Sequence, residues 1–223
     1  MKNQSSLSYN SCIHPTARIH PTAIVEEGVS IGRGTSVWDS AHIRKNTVIG
    51  ENCIIGEKTY IAYDVKIGYD VKINSFVYIC TGITIDNHVM ISAGTVFTND
   101  RVPRAYNSDG HSIKTSDPTE ETLETRVCQG ATLGAGCTIG SGIELEEYCM
   151  IGMGSVVTHD VAPYELVYGN PAKPRGFVCL CGEILIRSNR PLKSSSSLVE
   201  NRFSCVKCNL EYILSEVNRL VLL

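Results

Sequence analysis

The sequence predicts an all-β fold: a parallel β-helix of about seven coils, with an inserted loop and a small C-terminal β-hairpin or zinc-knuckle piece. Three observations predict it. A large apolar residue recurs at every sixth position over most of the 223 residues. Two polar segments interrupt this period, and two close pairs of cysteines follow it.

The large apolar residues form two series with a strict spacing of six. The first series is Ile13, Ile19, Val25, Ile31, Val37, Ile43, Ile49, Ile55, Ile61, Ile67, Ile73, Ile79, Ile85, Ile91 and Phe97, and the second is Val127, Leu133, Ile139, Leu145, Ile151 and Val157. Four residues after each large residue stands a smaller or branched one, such as Ala17 or Thr35, and Gly often follows the large residue directly, as at Gly32.

A helix of period 3.6 cannot keep a six-residue period on one face, whereas short strands joined by tight corners can. Each hexad is therefore interpreted as one strand and one corner. Three hexads close a triangular coil, and stacked coils bury the apolar column as a continuous core. The twenty-one hexads predict seven coils.

Composition narrows the class of protein and of partner. The net charge is −3 with both signs mixed along the chain, so no basic face for nucleic acid or anionic membrane is expected. No segment resembles a signal peptide or a membrane span of about 20 apolar residues, so we expect a soluble, cytoplasmic protein. Its expected partners are small molecules and copies of itself.

The pattern divides the chain into three parts. We expect an N-terminal tail or cap at 1–12, a β-helix domain at 13–176 with a loop at 98–126, and a C-terminal cysteine-paired hairpin extension at 177–223. Six of the ten cysteines lie in or beside the repeat and are interpreted as small buried thiols. These six are Cys12, Cys53, Cys80, Cys128, Cys137 and Cys149.

Function is expected where the repeat breaks, because the hexads carry no chemistry themselves. The first break, after Phe97, is a long polar segment, and loops of this length inside a compact domain are usually functional. We therefore expect it to form a wall of an active site. The second break follows Val157, where prolines stiffen an exit segment whose Lys173 and Arg175 could meet a phosphate.

The final coils and the exit segment resemble the hexapeptide acyltransferases that use acetyl-CoA. The resemblance lies in Gly134-Ala135, in Gly140 and in the run Val167-Tyr-Gly-Asn-Pro-Ala-Lys173. It implies a left-handed coil, backbone amides that hold the pantetheine arm, and an exit segment near the adenine and 3′-phosphate. The CoA contacts that it implies are Ala135, Gly140, Ala172, Lys173 and Arg175.

A narrower resemblance, over roughly residues 13–176, is to N-acetyltransferases that modify the 3-amino group of dTDP- or UDP-linked sugars for surface polysaccharide. It rests on His14-Pro15, His20-Pro21, Val37-Trp38, Val96-Phe-Thr-Asn-Asp100, Pro103-Arg104 and Gly130-Ala-Thr-Leu-Gly134. In that family the Phe-Thr-Asn motif heads the active-site loop, which implies that Asn99, Asp100 and Arg104 face the substrate. It also implies a homotrimer with sites between subunits. Relatives often carry paired Asn/Gln residues where this chain has Asn74-Ser75, a departure that leaves the sugar open.

Acyl transfer to an amine needs a neutral nucleophile, an aligned thioester and donors for the carbonyl oxygen as it gains charge. Asn74 or corner amides could be the donors, Asn99 is a further catalytic candidate, and the departing thiolate could accept the proton. Alternatively, His88 could be a general base. His14 and His20 are interpreted as caps of early corners, while His42, His111 and His159 stay open.

Other functions share the same scaffold. An O-acetyltransferase of a sugar or of a small acceptor such as serine is the nearest alternative. A γ-type carbonic anhydrase would need three converging histidines, commonly two of them four residues apart, and the chain has no such pair. A non-catalytic assembly subunit would have no reason to keep the exit segment.

The C-terminal part contains Cys179-Leu-Cys181 and Cys205-Val-Lys-Cys208. Two close cysteine pairs separated by a hairpin-sized segment are what a tetrahedral zinc knuckle requires, although one intervening residue in the first pair is fewer than the usual two. Zinc on Cys179, Cys181, Cys205 and Cys208 would be structural, because four thiolates leave no open position. The alternative is a metal-free hairpin with reduced thiols.

Overall fold

The computed structural model describes residues 12–107, 109–115, 119, 122–187, 202–215 and 219–223. All regular structure in these ranges is β-strand, in agreement with the predicted all-β class. Most of the predicted N-terminal tail lies outside the described residues, as does the Ser-rich segment 194–197. No helix in the described part of the chain has the length and apolar character needed to cross a membrane.

Twenty-one short strands carry the repeat. They are β1 (Cys12–Ile13), β2 (Arg18–Ile19), β3 (Ile24–Val25), β4 (Ser30–Ile31), β5 (Ser36–Val37), β6 (His42–Ile43), β7 (Val48–Ile49), β8 (Ile54–Ile55), β9 (Tyr60–Ile61), β10 (Lys66–Ile67), β11 (Lys72–Ile73), β12 (Tyr78–Ile79), β13 (Ile83–Ile85), β14 (Met90–Ile91), β15 (Val96–Phe97), β16 (Thr125–Val127), β17 (Thr132–Leu133), β18 (Thr138–Ile139), β19 (Glu144–Leu145), β20 (Met150–Ile151) and β21 (Val156–Val157). Every one ends on a residue of the predicted apolar column.

The strands stack into three parallel sheets. Sheet A begins β1-β4-β7, sheet B begins β2-β5-β8, and sheet C contains β3-β6-β9 and its successors. Strands in register are one coil apart, as in the pairing of Ile13 with Ile31. The corners form three edges of a prism: an A–B edge, a B–C edge and a C–A edge, each named for the two sheets that it joins. The predicted parallel β-helix is confirmed, while its left-handed sense stays a prediction.

The core is the apolar column together with the smaller residues of the hexads. Column residues from Ile31 to Val157 are almost wholly buried. Buried threonines keep their hydroxyls satisfied, because Thr35 and Thr47 donate to carbonyls of the next coil at 2.8 Å. Five of the six cysteines predicted to be buried are buried, but the prediction is wrong for Cys12, which is exposed in the first strand of the stack.

The coil continues beyond the predicted break at Val157. Val161 bridges Leu145 of sheet A, and β22 (Glu165–Gly169) pairs with β20 in sheet B. The seven complete coils are thus followed by part of an eighth, because the corner after Val157 is two residues shorter than a hexad predicts. The exit therefore begins at the end of β22 rather than at Val157.

Antiparallel strands end the described chain. Strand β23 (Ala172–Val178) turns back on β22, and β24 (Ile184–Arg187) pairs with β23, so both extend sheet B. Strands β25 (Arg202–Ser204), β26 (Glu211–Leu214) and β27 (Leu220–Leu222) form a separate three-stranded sheet. The C-terminal part is therefore larger than the single hairpin predicted, and β23 runs across the domain boundary expected at residue 176.

The inserted loop occupies 98–124 in the structure, since β16 begins at Thr125. It has local structure of its own. Tyr106 bridges Ile113 in antiparallel fashion, and the Asp109 carboxylate caps the turn between them by accepting from the Ser112 hydroxyl at 2.6 Å. That hydrogen bond is the main reason why the pKa of Asp109 is lowered. The loop thus projects a small hairpin from the C–A edge.

Candidate functional site

A cavity of about 600 Å³ lies between the inserted loop and the C–A edge of the prism. Strand and corner residues from two coils form one side of it, and residues along the loop form the other. Its lining includes Tyr60, Tyr63, Tyr78, Cys80, Thr81, Asn99, Asp100, Asn107, Lys114 and Thr115. The first interruption of the repeat is therefore also the place where the prism surface becomes concave.

A second cavity, of about 700 Å³, lies on the loop side of the first. Asp100, Asn107 and Lys114 line both cavities. Arg101 and Arg104 line the second, so three cationic side chains converge on this space. Such a set suits a ligand with several negative charges.

Asn99 and Asp100, two of the predicted substrate residues, meet at this site. Asn99 is half-buried, and its Nδ2 donates to the Thr81 carbonyl at 3.0 Å, which fixes the start of the loop on the coil below. Asp100 is exposed, and its Oδ1 accepts from the Val102 N–H at 2.8 Å. Arg104 lines the second cavity only.

Asn74 and His88 lie elsewhere in the chain. Asn74 occupies a corner of the B–C edge, where its carbonyl accepts from the Thr59 hydroxyl at 3.0 Å. His88 occupies a corner of the A–B edge with φ of 59°, and its Nδ1 lies 3.7 Å from an Asp70 carboxylate oxygen. Within one chain, the three predicted catalytic residues are therefore on three different edges.

The sequence reasoning missed the tyrosine wall of the first cavity. Tyr60 and Tyr78 pair in register on sheet C and stack with ring centroids 5.3 Å apart and planes 8° from parallel. Their separation of one coil is visible in the sequence, because outward residues that are one coil apart lie above one another. Two tyrosines at outward positions eighteen residues apart could therefore have indicated this wall from the sequence.

The residues implied to bind CoA fall in two regions. Ala135 lies exposed on the B–C edge and Gly140 on the C–A edge. Ala172, Lys173 and Arg175 all lie on β23, which follows the Asn170–Pro171 turn. Gly140 donates to the Val157 carbonyl at 2.8 Å, so its amide is engaged in the coil.

Arg175 is held in a defined position. Its guanidinium carbon lies 5.3 Å from the centroid of the Tyr168 ring, in the range of a cation–π contact. Its Nε is buried and has no hydrogen-bond partner among the described residues.

The four C-terminal cysteines converge. Their sulfur atoms all lie within 4.8 Å of one another, with 3.3 Å between Cys179 and Cys208 and 3.6 Å between Cys181 and Cys205. Zn–S bonds of about 2.3 Å place tetrahedral sulfurs about 3.8 Å apart, so the donor set fits zinc.

Backbone donors around these cysteines favour thiolates. Burial acts to raise the pKa of Cys205, but the N–H groups of Cys208 and Lys207 donate to its sulfur, and the pKa falls to about 7. The N–H groups of Glu183 and Leu210 act in the same direction on Cys181 and Cys208, but the neighbouring cysteine sulfurs and desolvation outweigh them and raise the pKa of both thiols, so Cys205 is the thiol of the three that ionises first. N–H donors directed at sulfur are a second feature expected of a metal-binding cysteine turn.

The other histidines show no site among the described residues. The rings of His14 and His20 accept from N–H groups two residues later, at 3.2 and 3.3 Å, which supports their interpretation as corner caps. His42 pairs with Glu26 at 2.9 Å. Among the described residues, the cysteine cluster is the one group that could hold a metal ion. No three histidines converge in this part of the chain.

Two families match segments of the repeat on either side of the loop. The family described as "Bacterial transferase hexapeptide (six repeats)" matches residues 28–63. The family described as "Hexapeptide repeat of succinyl-transferase" matches residues 125–159. These matches agree with the hexads and with the resemblance inferred from them.

Two relatives are named as acetyltransferases. The dTDP-3-amino-3,6-dideoxy-alpha-D-galactopyranose 3-N-acetyltransferase of Aneurinibacillus thermoaerophilus is 51% identical over 57 residues, which cover 26% of this chain and 30% of that protein. Serine acetyltransferase 4 of Arabidopsis thaliana is 35% identical over 100 residues, which cover 44% and 27%. The chain thus spans less than a third of each of these two relatives.

Among solved structures, the acetyltransferase domain of PglB from Neisseria gonorrhoeae in complex with acetyl coenzyme A is 21% identical. It aligns with a TM-score of 0.40 over 76% of this chain and 59% of that domain. UDP-N-acetylglucosamine acyltransferase from Campylobacter jejuni is 16% identical, with a TM-score of 0.44 over 74% of both chains.

Proposed function

We propose that this hexapeptide-repeat protein is an acetyl-CoA-dependent N-acetyltransferase of a dTDP- or UDP-linked amino sugar. Its proposed role is in surface polysaccharide biosynthesis in the cytoplasm. The observation that carries the proposal is the cavity at the inserted loop, where Asn99 and Asp100 lie beside a group of cationic side chains. The named activity of the Aneurinibacillus relative supports the choice of acceptor.

The proposed reaction does not require a strong general base from the protein. The neutral sugar amine attacks the thioester carbonyl carbon, the C–S bond breaks, and the departing thiolate takes the proton released by the amine. Asn99 and Asp100 would orient the amino sugar, while Arg104 would meet the diphosphate. Donors such as Asn74 or corner amides would stabilise the oxygen of the tetrahedral intermediate.

Acetyl-CoA would lie along the last coils. Because Ala135 and Gly140 lie on different edges, the pantetheine arm would run between neighbouring chains, with exposed Ala135 of one chain and half-buried Gly140 of the other facing it. Ala172, Lys173 and Arg175 would lie near the adenine and 3′-phosphate. The support for this placement is the pair of cationic side chains on β23, exposed Lys173 and half-buried Arg175, since such side chains suit a phosphate.

A homotrimer with active sites between chains is part of the proposal. Asn74 and His88 stand on edges away from the cavity of their own chain, so either could act only at a cavity of a neighbouring chain. Light scattering coupled to size-exclusion chromatography tests this, and a mass of three chains is expected. A monomer that retains full activity would rule out shared sites.

We also propose that Cys179, Cys181, Cys205 and Cys208 hold a structural zinc ion. Protein purified without chelator should contain about one zinc per chain, and Cys208→Ser should lose most of it. Cys12→Ser is the matched control, because Cys12 is exposed but outside the cluster. A zinc content below about 0.2 per chain in the unmodified protein would contradict the proposal.

The activity is tested by incubating the protein with acetyl-CoA and dTDP- or UDP-3-amino sugars and measuring released CoA. Asp100→Asn should lower kcat/KM for the sugar about tenfold, as loss of a charged hydrogen bond would. The substitution keeps the oxygen that accepts from Val102. Asp39→Asn, on the B–C edge, is the matched control and should leave kcat/KM unchanged.

The acceptor also distinguishes the alternatives. Serine is assayed in parallel because serine acetyltransferase is among the relatives. Acetylation of serine but not of any amino sugar would replace the proposal by O-acetylation of a small acceptor. Absence of CoA release with every acceptor would favour a non-catalytic role.

A further inference from the structure

The tyrosine wall of the first cavity is built from outward-facing residues of adjacent coils. Tyr60 on β9 and Tyr78 on β12 stack in parallel, and Tyr63 adds a third ring from the corner that follows β9. Tyr78 is 44% exposed, so a large part of its ring is available to a ligand. Nothing in the acetyl-transfer chemistry itself requires these rings.

A half-buried network of Glu26, His42 and Arg44 holds this wall in place. Arg44 donates from Nη1 to the Tyr60 hydroxyl at 2.7 Å and from Nη2 to the Tyr63 hydroxyl, and its guanidinium carbon lies 4.2 Å from the Tyr63 ring centroid. Arg44 Nε lies 2.5 Å from a Glu26 carboxylate oxygen. His42 shares that oxygen at 2.9 Å and packs edge-on against Tyr60.

Through Arg44, which lies one coil earlier, the network therefore holds the phenol hydroxyl groups of Tyr60 and Tyr63. With the hydroxyl groups of Tyr60 and Tyr63 bound to Arg44, the rings have little freedom to rotate, and a planar ligand would meet a preorganised surface. Glu26 keeps its charge, since hydrogen bonds from His42 and from the Lys45 N–H, with the nearby Arg44, outweigh desolvation and lower its pKa.

Aromatic and cationic surfaces adjoin at this site. The tyrosines line the first cavity, Arg101 and Arg104 line the second, and Asp100 and Lys114 line both. A flat aromatic surface next to clustered cations matches the two chemical halves of a nucleoside diphosphate, a planar base and a charged diphosphate.

We propose that the Tyr60–Tyr78 stack binds the pyrimidine base of a nucleoside diphosphate-linked substrate, with Arg101, Arg104 and Lys114 holding its diphosphate. Arg44 is a positioning residue that acts through Tyr60 and Tyr63. The inference rests on the proposed function for the kind of substrate, but it concerns binding alone and does not require acetyl transfer.

The test is calorimetric titration of dTDP and of UDP, which carry the base and diphosphate without the sugar. Tyr78→Leu should weaken binding of at least one of them about tenfold or more, whereas Tyr78→Phe, which keeps the ring, should stay within about threefold. Tyr148→Leu is the matched control. Tyr148 also stacks on another tyrosine, Tyr164, with centroids 5.4 Å apart, but it lies on the A–B edge away from the cavity.

Arg44→Gln tests the positioning role. It should weaken dTDP or UDP binding, and the same loss should appear in the double variant Tyr60→Phe/Tyr63→Phe. Because both variants break the same hydrogen bonds, their combination should lose no more than either alone. Additive losses would overturn the positioning role.

Three results would overturn the base-binding site. They are absence of dTDP and UDP binding to the unmodified protein at millimolar concentration, equal binding by Tyr78→Leu and the unmodified protein, and a loss in Tyr78→Leu that appears only with the sugar attached. If acetylation fails but dTDP or UDP binding depends on the Tyr78 ring, the proposed function falls and this inference stands.

Discussion

Asn74, His88 and Asn99 are the predicted catalytic residues of one reaction, yet they occupy three edges of the prism. Ile13 and Ile31 show that one coil takes eighteen residues, so residues share an edge only when their separation is close to a multiple of that number. This counting needs the sequence alone and separates the three residues. What it cannot show is whether a second chain brings the edges together again.

His88 offers a direct test of general-base catalysis. We expect His88→Asn to lower kcat/KM less than about tenfold, below the usual contribution of a general base, because the ring is exposed on the A–B edge and the thiolate can accept the proton. The measurement is turnover across pH, with His159→Asn as the control. A loss above about a hundredfold, with disappearance of the acidic limb of the profile, would instead assign His88 as the base.

Glycines at two hexad positions serve different physical purposes. Gly50 directly follows a column residue, and a Cβ there would lie 2.5 Å from the Gly68 carbonyl oxygen of the next coil. Gly136, three residues after a column residue, has φ of 68° and open space around its Cβ position. Non-glycine residues such as Phe76 and His88 also adopt positive φ at that third position. Close approach, rather than the left-handed turn, therefore explains glycine directly after the large residue.

Two alanine substitutions test this distinction. Gly50→Ala should lower the free energy of unfolding by about 3 kcal/mol, because backbone of the next coil must move. Gly136→Ala should cost only about 1 kcal/mol, the penalty of a left-handed backbone without a clash. Urea unfolding followed by circular dichroism measures both. Equal losses would show that the corner conformation, and not the distance to the next coil, determines which residues these two positions tolerate.

The β22–β23 hairpin allows a test of the CoA placement. Lys173→Ala should raise the KM for acetyl-CoA about fivefold without changing kcat, as loss of an exposed charge pair would. With acetyl-CoA lacking the 3′-phosphate, variant and unmodified protein should be alike. Lys66→Ala removes an equally exposed lysine from sheet A and serves as the control. An unchanged KM for Lys173→Ala would remove this lysine from the CoA site.

At the scale of the molecule, the period predicted the strands and located the inserted loop, but it missed the partial eighth coil and the tyrosine wall. Each of the twenty-one strands ends on a predicted column residue, since burial of one large side chain per strand fixes the register. The partial eighth coil was missed because a two-residue deletion before Val161 breaks the count. The tyrosine wall was missed because the period draws attention to inward residues, while ligands meet outward ones.

The cysteine cluster is connected to the hairpin proposed to bind CoA. Strand β23 carries Lys173 and Arg175 and leads directly into Cys179, whose neighbour Leu180 donates its N–H to the buried Tyr212 hydroxyl at 2.9 Å. Arg219 ties the same part of the chain to Glu146 of the last complete coil at 2.7 Å. Loss of a metal that joins the four sulfurs should therefore loosen the end of β23.

We expect metal-free protein to bind CoA about tenfold more weakly, because part of the binding energy would then be spent on ordering β23. Calorimetry measures the affinity, and hydrogen exchange should show faster exchange in β23 and β24 but not in β4 to β9. Binding of dTDP or UDP, at the far C–A cavity, is the internal control and should not change. If metal removal leaves CoA affinity and β23 exchange unaltered, the cysteine cluster stabilises only its own three-stranded sheet.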